Sequence, residues 1–172
     1  MIFDSFVFVN YKWNMNNGYL RTLTWFLLLA GVLLYVSCEK ATELSEEEQI
    51  QNYLKKNDIV ADPTPTGLYY IEYIKGGGEY PVYLDTVEVT YTGFFLSGQI
   101  FDSGSLEFTV GQGDVIAGWD EGITYMQEGG KALLIVPSKL GYGSRGYYNI
   151  PANAVLLFQM DLDDIRFGPN HN

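Results

Sequence analysis

The chain has 172 residues and a formal net charge of −11, from 10 Lys and Arg against 21 Asp and Glu. This length accommodates one ordinary domain with extensions, and the acidic balance argues against a protein that follows nucleic-acid phosphates. The single histidine, His171, is the penultimate residue, and Cys38 is the single cysteine. Catalysis by a positioned imidazole and a zinc site of His and Cys ligands are therefore excluded.

An uncharged apolar run, LTWFLLLAGVLLYV at residues 23–36, marks the amino-terminal region. The run is short for a membrane span and fits the core of a secretory signal peptide, with Arg21 and Lys12 as its basic flank. We therefore predict a signal peptide over residues 1–37. Since the residues before Met15 do not look like a signal start, Met15 is a candidate initiator and those residues a candidate untranslated stretch.

Ser37 and Cys38 close the apolar run and resemble a bacterial lipoprotein processing site. The resemblance implies that Cys38 becomes a lipidated first residue. The protein is then expected to be extracytoplasmic and anchored to a bacterial envelope membrane, on the periplasmic or surface face of the outer membrane. An uncleaved anchor and a buried free thiol are the alternatives. Residues 38–66 after it are predicted to form an acidic tether.

One short helix is predicted within this tether. Ser45 and Glu48 have the spacing of a capping box, in which each residue binds the other's backbone amide. The apolar stripe that follows holds only Ile50 and Leu54, which is narrow for a packing surface. We therefore expect the helix, over residues 46–56, to act as a spacer.

Beyond a proline-rich break at residues 62–67 the pattern changes to strands. Apolar and polar residues alternate, and glycine-rich turns separate the alternating segments. Strands are predicted over residues 68–74, 86–95, 99–102, 107–110, 131–136 and 155–165.

Apolar residues at spacings of 3, 4 and 3 within residues 116–126 predict one face of a helix, with Asp114 as its candidate cap. The expected fold class is α+β, an antiparallel sheet with one short helix packed on it, over residues 67–168. Asp161 and Asp163 fall on the outward face of the last strand, so a solvated face is favoured over paired catalytic carboxylates.

Five aromatic residues from separate predicted elements stand beside glycine or turn residues: Tyr91, Phe101, Trp119, Tyr142 and Phe158. Aromatic side chains bury well, so these residues could form a plain core. The same residues could also line a ligand pocket. Residue types alone leave both interpretations open.

Eight short motifs follow one another across about residues 82–166. They are VTYTG (89–93), GQIFDS (98–103), FTVG (108–111), VIAGWDEG (115–122), MQEGGKA (126–132), VP (136–137), YG (142–143) and IPANA (150–154). In this order they resemble the FKBP-type peptidyl-prolyl cis-trans isomerases. The resemblance implies a twisted antiparallel sheet of about five strands wrapped around one short helix.

The resemblance also implies a proline pocket with Trp119 as its floor. The Ile116 backbone N–H and the Tyr142 hydroxyl would hold substrate carbonyls, and ionised Asp102 would orient Tyr142. The implied pocket residues are Tyr91, Phe101, Asp102, Val115, Ile116, Trp119, Tyr142 and Phe158. The implied rim residues are Leu106, Phe108, Tyr147 and Ile150.

The implied function is isomerisation of X-Pro bonds in exported proteins by desolvation and positioning. The expected partners are proline-containing polypeptides, macrolide inhibitors and, through Cys38, a membrane, but no nucleic acid. We expect a monomer without cofactor or metal. One alternative is a chaperone-like binding protein on the same fold without turnover. Another is a carbohydrate-binding surface protein that uses Tyr147 and Tyr148.

Overall fold

The computed structural model describes residues 44–171. The predicted signal peptide, the lipidation site at Cys38 and the first residues of the tether lie outside the described residues. Within residues 44–171, no helix is both long enough and apolar enough to cross a membrane.

Five antiparallel strands form one sheet in the order β1-β4-β5-β2-β3. The strands are β1 (Tyr69–Ile74), β2 (Thr86–Phe95), β3 (Ile100–Thr109), β4 (Lys131–Val136) and β5 (Leu156–Arg166). The helices are α1 (Glu46–Lys56) and α2 (Ala117–Gly122). The predicted α+β architecture, an antiparallel sheet with a short helix, is confirmed.

Strand β3 is longer than the sequence pattern indicates. Two separate strands were expected over residues 99–102 and 107–110, but one strand runs through both. The residues between them are mostly small, polar and exposed, so they show no apolar alternation. They still pair with β2, since Ser103 lies opposite Thr92. Backbone pairing at the edge of the sheet therefore continues where the side-chain pattern stops.

Strand β4 is buried on both of its faces, which explains its unbroken apolar sequence. Ala132, Leu134 and Val136 belong to the larger core cluster on the face that carries α2. Leu133 and Ile135 belong to a second cluster on the opposite face. The sheet thus lies between two apolar layers.

Helix α2 approaches β4 closely because two of its residues are glycines. A Cβ atom on Gly118 would lie 2.7 Å from a methyl of Val136, and one on Gly122 would lie 2.6 Å from a methyl of Leu134. Any larger residue would push the helix away from the sheet. The close approach seats Trp119, which lies between these glycines in the sequence, in the core at 3% exposure.

The ends of α2 differ from the prediction. The α-helix stops at Gly122, and Ile123–Tyr125 continue as one 3-10 turn. Asp114 is not its cap, because the N-cap residue is Ile116, which makes no side-chain capping bond. The Asp120 carboxylate instead accepts two backbone N–H bonds, at 2.9 and 3.1 Å, from the glycine turn before the helix.

Helix α1 is part of the folded body, and the prediction that it acts as a spacer is wrong. Ile50 and Leu54 are 1% and 3% exposed and pack in the second cluster with Tyr69, Leu133 and Leu157. The predicted capping box at its start is present. Its narrow apolar stripe suffices because the sheet face beneath it is itself apolar.

A buried carboxylate, Asp85, joins the chain's last residues to the loop before β2. It accepts hydrogen bonds from the backbone N–H groups of Val82 (2.8 Å) and Gly168 (2.7 Å). His171 Nδ1 lies 2.7 Å from Asp85 Oδ2, the oxygen that also accepts from Val82. The His171 ring stacks on Phe167. The single histidine therefore has a structural partner.

Candidate active site

A cavity of about 610 Å³ opens beside α2 on the face of the sheet that carries the larger core cluster. All eight residues predicted for the pocket line it, and so do three of the four predicted rim residues. The lining also includes three residues that the sequence did not single out for the site. The complete lining is Tyr91, Phe101, Asp102, Leu106, Asp114, Val115, Ile116, Trp119, Tyr142, Tyr147, Tyr148, Asn149, Ile150 and Phe158.

Trp119 forms the base of the cavity. Its ring meets Tyr91 edge-on at a centroid distance of 4.8 Å and Phe158 edge-on at 5.2 Å. Its Nε1 atom is buried and has no hydrogen-bond partner among residues 44–171.

Phe108 departs from its predicted place on the rim. The side chain is 4% exposed and does not line the cavity. It packs against Trp119 at a centroid distance of 6.0 Å. Phe108 therefore supports Trp119 from within the core, because its side chain points into the larger core cluster and not toward the cavity.

One wall of the cavity is aromatic. Phe101 meets Phe158 edge-on at 5.5 Å and Phe95 at 5.0 Å. A Cβ atom on Gly93 would lie 2.6 Å from the Phe101 ring. The glycine on β2 is therefore what lets this ring lie across the neighbouring strand and reach the cavity.

Asp102 was predicted to orient Tyr142, but its side-chain partner is the Tyr91 hydroxyl. The Tyr91 hydroxyl donates to Asp102 Oδ2 at 2.8 Å, and the Ser103 backbone N–H donates to Oδ1 at 2.9 Å. Burial, together with the hydrogen bond and negative charge of Asp102, raises the pKa of Tyr91 to about 12. Tyr91 and Asp102 thus form a fixed pair on one side of the cavity.

The Tyr142 hydroxyl makes no hydrogen bond within the described part of the chain. Burial raises the pKa of Tyr142, and the neighbouring Tyr147 and Asp102 raise it further. The hydroxyl therefore stays protonated at neutral pH and can donate to a ligand. The Ile116 N–H is likewise free of any partner among residues 44–171, and it precedes the first turn of α2.

Tyr142, Tyr147 and Tyr148 form a row of contacting rings along the other side of the opening. The rings of Tyr142 and Tyr147 stack at 5.2 Å with an interplanar angle of 9°, and Tyr148 meets Tyr147 edge-on at 4.6 Å. A two-residue turn presents Tyr148, closed by paired backbone bonds between Tyr147 and Ile150. The turn holds Tyr148 at a positive φ of 47° and leaves it 92% exposed.

The residues missed by the sequence analysis are Asp114, Tyr148 and Asn149. The sequence pattern predicts a helix cap at Asp114 and offers Tyr148 only as a sugar-binding residue. The turn that brings Tyr148 and Asn149 to the opening depends on pairing between Tyr147 and Ile150. A local pattern of alternation does not reveal such a short bridge.

The lining provides an apolar base, hydroxyl and amide donors, and two aspartates, but no Lys, Arg or His. Residues 44–171 hold no cluster of three or more His, Cys, Asp or Glu residues that could bind a metal. The outward aspartates of β5 are engaged elsewhere, since Asp161 pairs with Lys131 and Asp163 accepts from Thr90 at 2.7 Å. The cavity is therefore suited to hold an apolar ring and adjoining carbonyl groups.

Comparison with known proteins agrees with this geometry. The family model for FKBP-type peptidyl-prolyl cis-trans isomerases matches residues 77–163. FkpA of Buchnera aphidicola (Schizaphis graminum strain) is 39% identical over 134 residues, which are 72% of this chain and 53% of that protein. The FK506-binding protein of Neisseria meningitidis serogroup A is 44% identical over 94 residues, 51% of this chain and 86% of that protein.

A solved structure shares the fold as well. The crystal structure of FkpA from Escherichia coli superposes with a TM-score of 0.65 and 31% identity, over 90% of this chain and 74% of that one. In sequence, this chain spans about half the length of the FkpA relatives, 53% of the Buchnera protein and 47% of the E. coli protein. The family match covers just over half of this chain and includes every residue that lines the cavity. The chain belongs to the family of FKBP-type peptidyl-prolyl cis-trans isomerases.

Proposed function

We propose that the protein catalyses cis-trans rotation of X-Pro bonds, with the cavity above Trp119 as its active site. Rotation about such a bond is slow because amide resonance holds it planar, with a barrier of about 18–20 kcal/mol. An apolar cavity favours the twisted amide, in which resonance is lost and the carbonyl is less polar, over the planar amide. The observation that carries the proposal is the aromatic base of a cavity lined by all eight expected pocket residues.

Five of the eight pocket residues would contact the substrate directly in this proposal. The proline ring of the substrate rests on Trp119, between the aromatic rings of Phe101 and Phe158. The Ile116 N–H and the Tyr142 hydroxyl donate to substrate carbonyls on either side of the bond. These contacts position the chain ends so that rotation of one against the other needs little further ordering.

Isomerisation of a short X-Pro peptide, followed by NMR exchange, tests the proposed activity directly. We expect catalysed exchange that is saturable by the peptide. Binding of proline-containing polypeptides without catalysed exchange would instead favour the chaperone-like binding protein. Glycan binding that survives replacement of Trp119 would favour the carbohydrate-binding alternative, with Tyr147 and Tyr148 as its surface.

Turnover should be nearly independent of pH between about pH 5.5 and 8.5, because no group gives or takes a proton in the transition state. The pKa of Tyr91 is raised to about 12 and that of Tyr142 is also raised. A raised pKa keeps each hydroxyl protonated throughout this range, so its hydrogen bonds persist. The measurement is kcat/KM on one X-Pro peptide across the range, with circular dichroism confirming the fold. A bell-shaped profile would contradict the mechanism.

We further propose that the clients are exported proteins and that lipid on Cys38 anchors the protein to a bacterial envelope membrane. The support is the apolar run that ends at Ser37-Cys38. Replacing Cys38 by serine should move the protein from the membrane fraction to the soluble fraction. Lipid labelling should be lost at the same time. An unchanged membrane fraction would favour an uncleaved anchor.

Macrolide binding is a third part of the proposal. A similar protein of Neisseria meningitidis is named for binding FK506. The cavity of this chain offers an apolar base at Trp119, and its rim carries Leu106 and the tyrosine turn. Inhibition of peptide turnover by FK506 at stoichiometric concentrations would support a shared site.

A further inference from the structure

Helix α1 makes a polar contact with the chain segment that leads into the cavity. Glu46 Oε2 accepts a hydrogen bond from the Ser138 backbone N–H at 2.8 Å, and Glu46 Oε1 accepts one from Ser138 Oγ at 2.6 Å. The two residues are 92 positions apart in the sequence. Ser138 is 6% exposed, so water competes little for these bonds.

Ser138 begins the turn that carries Tyr142 to the cavity. β4 ends at Val136, and Ser138–Leu140 form a 3-10 turn. Bonds of 2.9 Å from Leu140 N to Pro137 O and from Gly141 N to Ser138 O close the turn. The Ser138 N–H at the start of the turn has no backbone partner among residues 44–171, and it donates to Glu46 instead. The carboxylate therefore holds the first residue of the turn that leads to Tyr142.

The carboxylate of Glu46 is itself held in place. The capping box at the start of α1 orders the first helical turn. Ile50 and Leu54 fix the helix to the face of the sheet opposite α2. The neighbouring Glu47 accepts a hydrogen bond from the Tyr69 hydroxyl at 2.8 Å, which also joins the helix to β1. Glu46 is therefore a rigid support for the turn.

We propose that Glu46 is a positioning residue for the isomerase site, acting on the Tyr142 hydroxyl through the Ser138 turn. The inference rests on the function proposed above for the cavity. Glu46 lies outside the residues 77–163 that define the family match, so this chain uses a helix outside the family domain to order its site. Small displacements of a group that contacts substrate cost large factors in rate, so the effect should appear in kcat.

The test compares Glu46→Ala with Glu47→Ala in the full chain. Both variants remove one carboxylate from the start of α1 together with its hydrogen bond to the rest of the domain. Only Glu46 contacts the 3-10 turn that begins at Ser138, whereas Glu47 contacts Tyr69 on β1. We expect Glu46→Ala to lower kcat on an X-Pro peptide about tenfold, while Glu47→Ala changes it less than twofold. The free energy of unfolding, measured in urea, should fall by a similar amount in both variants.

Glu46→Gln provides the conservative variant. Its amide oxygen can accept from the Ser138 N–H and its NH₂ can donate to Ser138 Oγ, so both bonds can be kept. We expect it to restore most of the kcat that Glu46→Ala loses.

The coupling to Tyr142 has its own measurement. In a Tyr142→Phe background, Glu46→Ala should lower kcat by less than twofold further, because the group it positions is gone. Equal losses in both backgrounds, or equal kcat values for Glu46→Ala and Glu47→Ala at wild-type levels, would overturn the inference. If the wild-type chain itself shows no catalysed exchange, the proposed function fails instead.

Discussion

Replacing Trp119 should produce the largest loss of activity. The indole forms the cavity base, and a proline ring resting on it removes several methylene groups from water at about 0.8 kcal/mol each. Loss of that contact corresponds to about a 10- to 100-fold fall in kcat/KM for an X-Pro peptide. We expect this fall for Trp119→Ala, provided that the variant stays folded.

Two further variants separate activity from folding. Removing a buried tryptophan costs about 3–5 kcal/mol of stability, so Trp119→Phe, which keeps a ring in the core, is the second site variant. It should still lose about tenfold in kcat/KM, since the smaller ring leaves the proline poorly supported. Leu162→Ala is the control, because Leu162 lies in the same core cluster but does not line the cavity. It should lose stability while the folded protein keeps its kcat/KM. Full activity in folded Trp119→Phe and Trp119→Ala would contradict the assignment of the site.

Replacing Asp85 should produce the largest loss of stability from a polar residue. Its buried carboxylate accepts from two backbone N–H groups and contacts His171, and Asp85→Asn turns an amide NH₂ toward some of these donors. Hydrogen bonds to charged groups and unsatisfied buried donors are each worth about 1–3 kcal/mol. We expect the free energy of unfolding at pH 7 to fall by about 3 kcal/mol.

The pH dependence of this loss is a second observable. Burial alone would raise the pKa of Asp85, but hydrogen bonds from Val82, Gly168 and His171 outweigh burial and lower it below its ordinary value of 3.8. A lowered folded pKa means that the stabilisation is present above pH 3.8 and is lost as the pH falls through the folded pKa.

The difference in unfolding free energy between wild type and Asp85→Asn should therefore shrink as the pH falls below about 4, where the Asp85 carboxylate becomes protonated. Asp164→Asn is the control, because it removes an exposed carboxylate on β5. Its free energy of unfolding should differ from that of the wild type by less than about 0.5 kcal/mol. A difference for Asp85→Asn that is small at pH 7, or that does not shrink below about pH 4, would contradict this account.

Features that depend on neighbouring residues could be read from the sequence. The capping box spans residues 45–48, and alternation over residues 86–95 marks β2 because side chains on a strand point to opposite faces. The double-sided burial of β4 also appears as an unbroken apolar run. Apolar spacing located α2, although its end at Gly122 was missed, because the change to a 3-10 turn leaves the apolar spacing unaltered.

The cavity residues were found through the order of eight motifs rather than through local pattern. Residue types alone left both an aromatic core and a ligand pocket open, with the core favoured because aromatic side chains bury well. The structure shows that both descriptions apply, since Trp119 and Phe158 are core residues that also line the cavity. Phe108 has the same chemistry but lies beneath them. Phe108 differs from Trp119 and Phe158 only in lying deeper in the packed core, where it supports the cavity without lining it.

Contacts between distant segments were decided by the tertiary structure. The partner of α1 is a sheet face assembled from residues such as Leu133 and Leu157, which a stripe of two apolar residues does not specify. The choice of Tyr91 rather than Tyr142 as the partner of Asp102 depends on the positions of adjacent strands. The sequence by itself therefore determined most of the elements, the family and the chemistry of the cavity. Helix docking and hydrogen-bond partners needed the fold, because they depend on distances between residues far apart in the chain.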